Sequence, residues 1–441
     1  MAVLAPRALS PESEPLVGNY FIAAYPPFSS WRAEQVPALL DALNRAETKA
    51  PLGLYVHVPF CQKKCDYCYY LSFIGRPAAV IDGYLNKVVD EIALYSERRA
   101  VAGRPLAFVY FGGGTPSMLT SAQIRNLTGG LKRSLSWKGV PEVTFECAPR
   151  SVRADFLNTL RDVGVTRISM GVQSLDDELL KLNGRVHLRE DVLRAYRMIQ
   201  QTGFDWINLD LMCGLLGETD VTWRETVRQV IALAPESVTI YQTEIPFNTQ
   251  LYRNLKSNTL PADTVPWNVK RARLDYAFNE LDRAGYAVVS AYNAVRDPVK
   301  HEFQYQKHLW SGGDMLGLGV ASFGYFGGVH YQNAVTLESY DERVSESSFP
   351  VWRALALSER DQLVREFILH LKFGHADSAY FRSKFGVDIT RAFAEPLYEL
   401  RTERMLTCTA AGVQLTAEGL LKVDRLLPRF YDPQYRQLRY T

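Results

Sequence analysis

Three cysteines, Cys61, Cys65 and Cys68, follow one another in the spacing Cys-x3-Cys-x2-Cys. Three thiolates on one loop can hold three corners of a four-iron cluster, leaving the fourth iron open to a substrate or cofactor. A structural zinc site would want a fourth Cys or His. The nearest histidine, His57, lies in the strand before the loop, and a ligand from farther along the chain stays open. Cys147, Cys213 and Cys408 have no ligand spacing and read as small buried hydrophobes. A second feature able to do chemistry is Gly112-Gly113-Gly114-Thr115-Pro116. Such a run either lets the backbone approach a charged ligand or simply makes a tight turn.

The elements that must position these residues are legible between Leu52 and about Gln242. Short β-branched or aromatic runs alternate there with longer amphipathic stretches, the pattern of a parallel sheet with crossover helices. Six runs read as strands: Leu54 to Val58, Ala107 to Phe111, Val143 to Cys147, Arg167 to Gly171, Trp206 to Leu211 and Val238 to Gln242. Six βα units fall short of a closed eight-unit barrel, so an α/β partial, open barrel is expected. In such folds the chemistry sits at the C-terminal strand ends. The first run leads into the cysteines and the second into the glycines. The third, fourth and fifth reach Glu146, Gln173 and Asp210.

Alternating structure continues through Tyr286 to Asn293 and the Gly-rich stretch Asp314 to Gly328. From about Val351 the pattern turns helical, with a terminal hairpin around Gly412. The expected domains are an irregular lead-in over 1–50, the barrel and its extension over 51–350, and a mainly helical C-terminal domain over 351–441.

The chain has 441 residues, 47% of them hydrophobic and 22% charged, as in an ordinary globular protein with a large core. Fifty Lys and Arg against 48 Asp and Glu leave a formal charge of +2, so no bulk field favours nucleic acid or an anionic membrane as partner. Six cysteines are too few for a disulfide scaffold. With neither a signal-peptide pattern at the N-terminus nor an apolar run long enough to span a bilayer, a cytoplasmic location is expected.

Tyr67, before the third cysteine, completes Cys-x3-Cys-x-aromatic-Cys, and in this the chain resembles the radical S-adenosylmethionine (SAM) superfamily. The resemblance implies a [4Fe-4S] cluster whose open iron binds SAM, a 5′-deoxyadenosyl radical that abstracts hydrogen, and a flavodoxin- or ferredoxin-type electron donor. YVHVPFC, FGGGTPS, FECAPR, RISMGVQSLDDELLKLNGR, INLDLMCGL and LGLGVASFG extend the match to the oxygen-independent coproporphyrinogen III oxidase-like family, over about Gly53 to Gly328. A weaker echo follows at LTAEGLLKVDRL. Members with full motifs bind two SAM molecules. The resemblance assigns Tyr55, Gly113, Glu146 and Phe323 to the cluster-bound SAM. It assigns Tyr67, Gly114, Thr115, Gln173, Arg185 and Asp210 to the second.

Two positions depart from the family. Porphyrinogen oxidases carry a fourth cysteine two residues after the third, where this chain reads Cys68-Tyr69-Tyr70. The heme-chaperone branch carries His-Asn-x-x-Tyr-Trp, where this chain reads Tyr305-Gln306-Lys307-His308-Leu309-Trp310, with His308 displaced. Members that keep both SAM sites without the fourth cysteine include class C methyltransferases, cyclopropane-forming enzymes and heme-opening enzymes. The leading expectation is therefore transfer of a methyl or methylene unit from a second SAM to an unsaturated carbon of a planar small molecule or modified peptide. Tetrapyrrole decarboxylation or redox chemistry is the alternative enzyme reading, and a heme-binding chaperone the non-enzyme one. Tyr69, Tyr70 and Phe73 are candidates to stack on a flat substrate, or to pack in the core.

Overall fold

The computed structural model describes residues 24–436 and 438, and the statements below concern those residues. All six expected runs form strands: Leu52–Val58, Leu106–Gly113, Val143–Cys147, Arg167–Gln173, Trp206–Cys213 and Ser237–Gln242. They lie side by side in chain order, each parallel to the next. Their near-continuous burial explains why they read as apolar runs: a parallel sheet covered by helices has no wet face. The crossover helices bury one stripe each. In Ala78–Ser96 it comprises Tyr84, Leu85, Val88, Ile92 and Tyr95, three and four apart. Helix starts are set locally, as where the Thr120 hydroxyl accepts from the Gln123 amide while the Gln123 side chain accepts from the Thr120 amide.

The sheet is larger than the six units. Met315–Leu318 adds a seventh parallel strand beside Leu52–Val58. Phe323–Phe326, Val329–Asn333 and Val351–Ala356 continue it antiparallel on that side. Asn293–Val295 and Ala287–Val288 extend the other end. The two outermost of the twelve strands are not paired with each other, so the barrel is open. The expected boundary at residue 351 falls on a strand of this sheet, which runs on to Ala356 because Val351–Ala356 pairs with Val329–Asn333. Of the lead-in, residues 1–23 lie outside the described residues. The rest includes a helix, Val36–Leu43, that buries Leu39, Ala42 and Leu43, while Arg32 bridges Ala354 on the antiparallel edge.

The C-terminal region is mainly helical, led by Glu359–Lys372, Ser378–Phe385 and Ala394–Thr402. Leu406–Cys408 and Gly412–Leu415 form the expected hairpin, and His375–Asp377 joins it as a third strand. Phe367, Phe381, Phe393 and Phe430 pack in one core with Phe108 and Met315 of the barrel. No helix among the described residues is long and apolar enough to cross a membrane.

Candidate functional site

The C-terminal strand ends surround one cavity of about 280 Å³. Its wall holds Cys61, Cys65, Cys68, Tyr67, Gly113, Gly114, Thr115, Glu146, Gln173, Arg185 and Asp210. Residues as far apart in sequence as Cys61 and Asp210 therefore converge as the strand-end rule requires.

The cysteine loop is pinned at both ends. Phe60–Cys61 pairs in parallel with Phe73–Ile74, and the Cys68 amide donates to the Cys65 carbonyl at 3.1 Å. The glycine loop lies directly on it: the Gly114 amide donates to Val58 O and the Thr115 amide to Phe60 O, both at 2.8 Å. A Cβ at Gly114 would stand 2.7 Å from Phe60 O, so only glycine permits this approach. Gly113 has φ +115°, and a Cβ there would meet the His57 ring at 2.6 Å. The Thr115 hydroxyl lies 3.5 Å from Cys61 Sγ.

Burial raises the Cys61 thiol and pushes Cys68 up to about 11, a cost that a cationic cluster would offset by holding the thiolates. Among the described residues no three His, Cys, Asp or Glu side chains close around a single ion. The three cysteines instead border a shared space, and a cluster takes each thiolate on a different iron. Cys147 is buried in the wall of the same cavity, Cys213 is buried outside that wall and Cys408 is half-buried.

Two carboxylates sit deep in the wall. Glu146 Oε1 accepts from Tyr110 OH at 2.8 Å and Oε2 from the Gly113 amide at 3.2 Å. Burial pushes its pKa up to about 7 against those hydrogen bonds. Asp210 accepts from Ser169 Oγ at 3.0 Å and Asn208 Nδ2 at 2.8 Å, and burial pushes it up to about 6. Both are suited to a ligand that brings positive charge or hydroxyl donors.

Gln173 reaches the cavity through a bulge. The pairing of Arg167–Gln173 with its neighbour shifts between Gly171 and Gln173, and Gln173 takes φ +68°. That left-handed backbone is uncommon for a non-glycine residue and re-aims the side chain. Arg185 follows the helix Asp177–Leu182, where buried Asn183 bonds Leu179 O and both backbone groups of Leu216. The guanidinium is held rather than solvated. Nη1 donates to Cys65 Sγ at 2.9 Å and Nη2 to Gly171 O at 3.1 Å, while buried Nε has no hydrogen-bond partner. The Tyr67 hydroxyl, also buried without a well-aligned partner, stands against this guanidinium. Orphaned donors around a cavity, beside a glycine cradle, fit an anionic polar ligand.

Tyr55 and Phe323 are not part of the wall. Tyr55 stands one layer behind, its ring 5.8 Å from Tyr110 and its hydroxyl 3.2 Å from His57 Nδ1. Phe323 begins an antiparallel strand on the side covered by the lead-in, where Phe28 and Trp31 pack on it at 5.5 and 5.8 Å. Tyr69 and Tyr70 line the cavity with rings 4.6 Å apart, whereas Phe73 packs on Phe60.

Comparison with known proteins agrees with this fold. The radical SAM superfamily model matches residues 55–230. Oxygen-independent coproporphyrinogen III oxidase of Escherichia coli is 28% identical over 416 residues, 91% of this chain and 89% of that protein. The heme chaperone HemW of Haemophilus influenzae is 31% identical over 279 residues, 62% of this chain and 70% of that one. The solved E. coli coproporphyrinogen III oxidase, HemN, described as a radical SAM enzyme, superposes with a TM-score of 0.80 at 26% identity. That match covers 93% of this chain and 97% of HemN.

The chain belongs to the oxygen-independent coproporphyrinogen III oxidase-like family of radical SAM enzymes. Radical SAM membership implies a [4Fe-4S] cluster and SAM, and the donor set, the glycine cradle and the orphaned donors fit both. The wall also holds residues outside the motifs. Tyr110 lies two residues before Gly112, so strand alternation already places both on one face. Tyr241 and Gln242 end the sixth strand, where the strand-end rule also points, whereas His187 lies in a loop and has no local signal.

Proposed function

We propose that the chain cleaves SAM reductively and uses a second SAM to deliver a one-carbon unit to an unsaturated carbon of a planar small molecule or modified peptide. The observation that carries this reading is a single cavity shared by the three cysteines and by Tyr67, Gln173, Arg185 and Asp210. Cys61, Cys65 and Cys68 would hold the cluster, which, once reduced by an external electron donor, would supply the electron for reductive cleavage of SAM to methionine and a 5′-deoxyadenosyl radical. Glu146 and the Gly113 backbone are placed to hold the cluster-bound SAM at its ammonium and polar groups, with Tyr55 and Tyr110 backing them. Arg185 offers its orphaned Nε to a methionine carboxylate, and Asp210 accepts from ribose hydroxyls. Adjacent sites supply the proximity that transfer between two bound molecules needs. The paired rings of Tyr69 and Tyr70 are offered to the flat substrate.

A second reading, oxidative decarboxylation or other redox chemistry on a tetrapyrrole, is favoured by the near full-length likeness to coproporphyrinogen III oxidase. These relatives are oxidases and a heme chaperone, and a two-SAM cavity suits both enzyme readings, so the one-carbon step rests on Tyr70 standing where the oxidases have cysteine. The likeness to a heme chaperone raises a third reading, which His308 does not favour. Its Nε2 lies 2.8 Å from the Asp314 carbonyl, which can only accept, so that nitrogen is committed as a donor.

SAM deuterated on its methyl separates the readings. One-carbon transfer places deuterium in 5′-deoxyadenosine and leaves two label atoms on the delivered carbon. Deoxyadenosine that draws hydrogen only from a porphyrinogen, with no labelled carbon delivered, would replace this reading by the tetrapyrrole one.

A further inference from the structure

His187 has no part in the motifs above, yet it is 1% exposed, lines the cavity and touches Arg185. Its Nε2 lies 3.0 Å from the Val172 carbonyl. A carbonyl only accepts, so Nε2 carries the proton and Nδ1 is left as an acceptor. Arg185 Nη2 donates to that Nδ1 at 3.3 Å. Burial, with the neighbouring guanidinium adding to it, pushes the imidazole pKa down to about 4, so the ring stays neutral and the lone pair available. Val172 is the bulged residue that turns Gln173 into the cavity. One ring therefore ties the Gln173 bulge to the Arg185 guanidinium, whose Nη1 lies 2.9 Å from Cys65 Sγ.

We propose that His187 is a positioning residue, holding Arg185 so that one edge of the guanidinium donates to the Cys65 thiolate while Nε faces the carboxylate of the second SAM. The carboxylate half of this statement rests on the proposed second site, and the thiolate half does not. Hydrogen bonds and positive charge at a ligating sulfur raise a cluster's reduction potential, because they stabilise the more negative reduced form. A guanidinium fixed by three acceptors also spends less ordering entropy on a fourth.

The test uses the reconstituted full chain and its Arg185→Ala, His187→Leu and His187→Asn variants. Asn keeps an acceptor near the Nδ1 position, and Leu removes it. EPR-monitored redox titration reads the cluster, and anaerobic equilibrium binding of SAM reads the second site. His187→Leu is expected to move the midpoint potential negative, in the same direction as Arg185→Ala, and to weaken the second SAM about tenfold, the loss of roughly one charge-assisted contact. His187→Asn is expected to restore both values. A Leu variant with wild-type potential, or an Asn variant that reconstitutes normally yet behaves like Leu, would overturn the proposal. A wild-type chain that binds only one SAM removes the second site, and the potentials then decide the thiolate half alone.

Discussion

Glu146 sets a pH dependence at the scale of one residue. Its carboxyl is pushed by burial from 4.5 up to about 7, so the folded chain binds that proton more tightly than the unfolded chain does. Stability from this group is therefore greatest below 4.5 and is lost as pH rises through about 7 in the ligand-free protein. Glu146→Gln removes the loss. Denaturation at about pH 8 should find the ligand-free variant more stable than wild type by at most ~3 kcal/mol, with the gain vanishing at about pH 4. SAM binding should fall in the same variant, because the ammonium loses its partner. Arg185→Ala should weaken the second SAM by about one to two orders of magnitude, from roughly 1.5 to 3 kcal/mol per charge-assisted contact, measured by anaerobic equilibrium binding. Any of Cys61→Ala, Cys65→Ala or Cys68→Ala should lose the broad iron-sulfur absorption and SAM cleavage while leaving the far-UV circular dichroism largely intact, since most of the core lies elsewhere.

Two loops meet at the elements' ends, and their contact is the least tolerant part of the site. The glycine run ends the strand Leu106–Gly113, and its next two amides donate to the backbone around the cysteine loop. Gly114→Ala would place a methyl 2.7 to 2.9 Å from three backbone atoms of Val58 and Phe60, so the loops must part. Overpacking of this kind costs about 1 to 3 kcal/mol. Reconstitution of Gly114→Ala should give fewer irons per chain than wild type, and a normal iron count would show that the loops yield without cost. The bulge before Gln173 works in the opposite way, since an irregularity in pairing aims a side chain that a regular strand would leave to alternation.

At the scale of the molecule, barrel and C-terminal region share a core. Phe108 and Met315 of the sheet pack with Val364, Phe367, Ile368 and Leu371 of the helix Glu359–Lys372. Buried Arg365 on the same helix lies over Tyr325, 4.1 Å from the ring centroid. A chain ending at residue 356 would keep all twelve strands of the large sheet and lose that cover. It should expose a large apolar patch and elute from size-exclusion chromatography as aggregate, where a separable domain would elute as monomer. Heme titration of the intact reconstituted protein should show no tight stoichiometric complex dependent on His308, and His308→Ala should leave any weak heme binding unchanged, because that imidazole is committed to Asp314.

Short-range pattern was enough for the six parallel strands, the cysteine loop and the glycine cradle. Burial on both faces makes each strand an apolar run, and a cluster loop needs its ligands close in sequence. Glu146, Gln173 and Asp210 were legible too, because strand ends are where a parallel barrel gathers its polar groups. Three things depended on chain-distant contacts and had no local signature. Met315–Leu318 joins the parallel sheet only by meeting the chain-distant strand Leu52–Val58, with Met315 beside Gly53. Phe323 is claimed by the aromatic rings of the lead-in rather than by the cavity. His187 acquires its place between Val172 and Arg185 from a bulge and a buried turn, and hydrogen-bond geometry of that kind exists only once these segments have packed together.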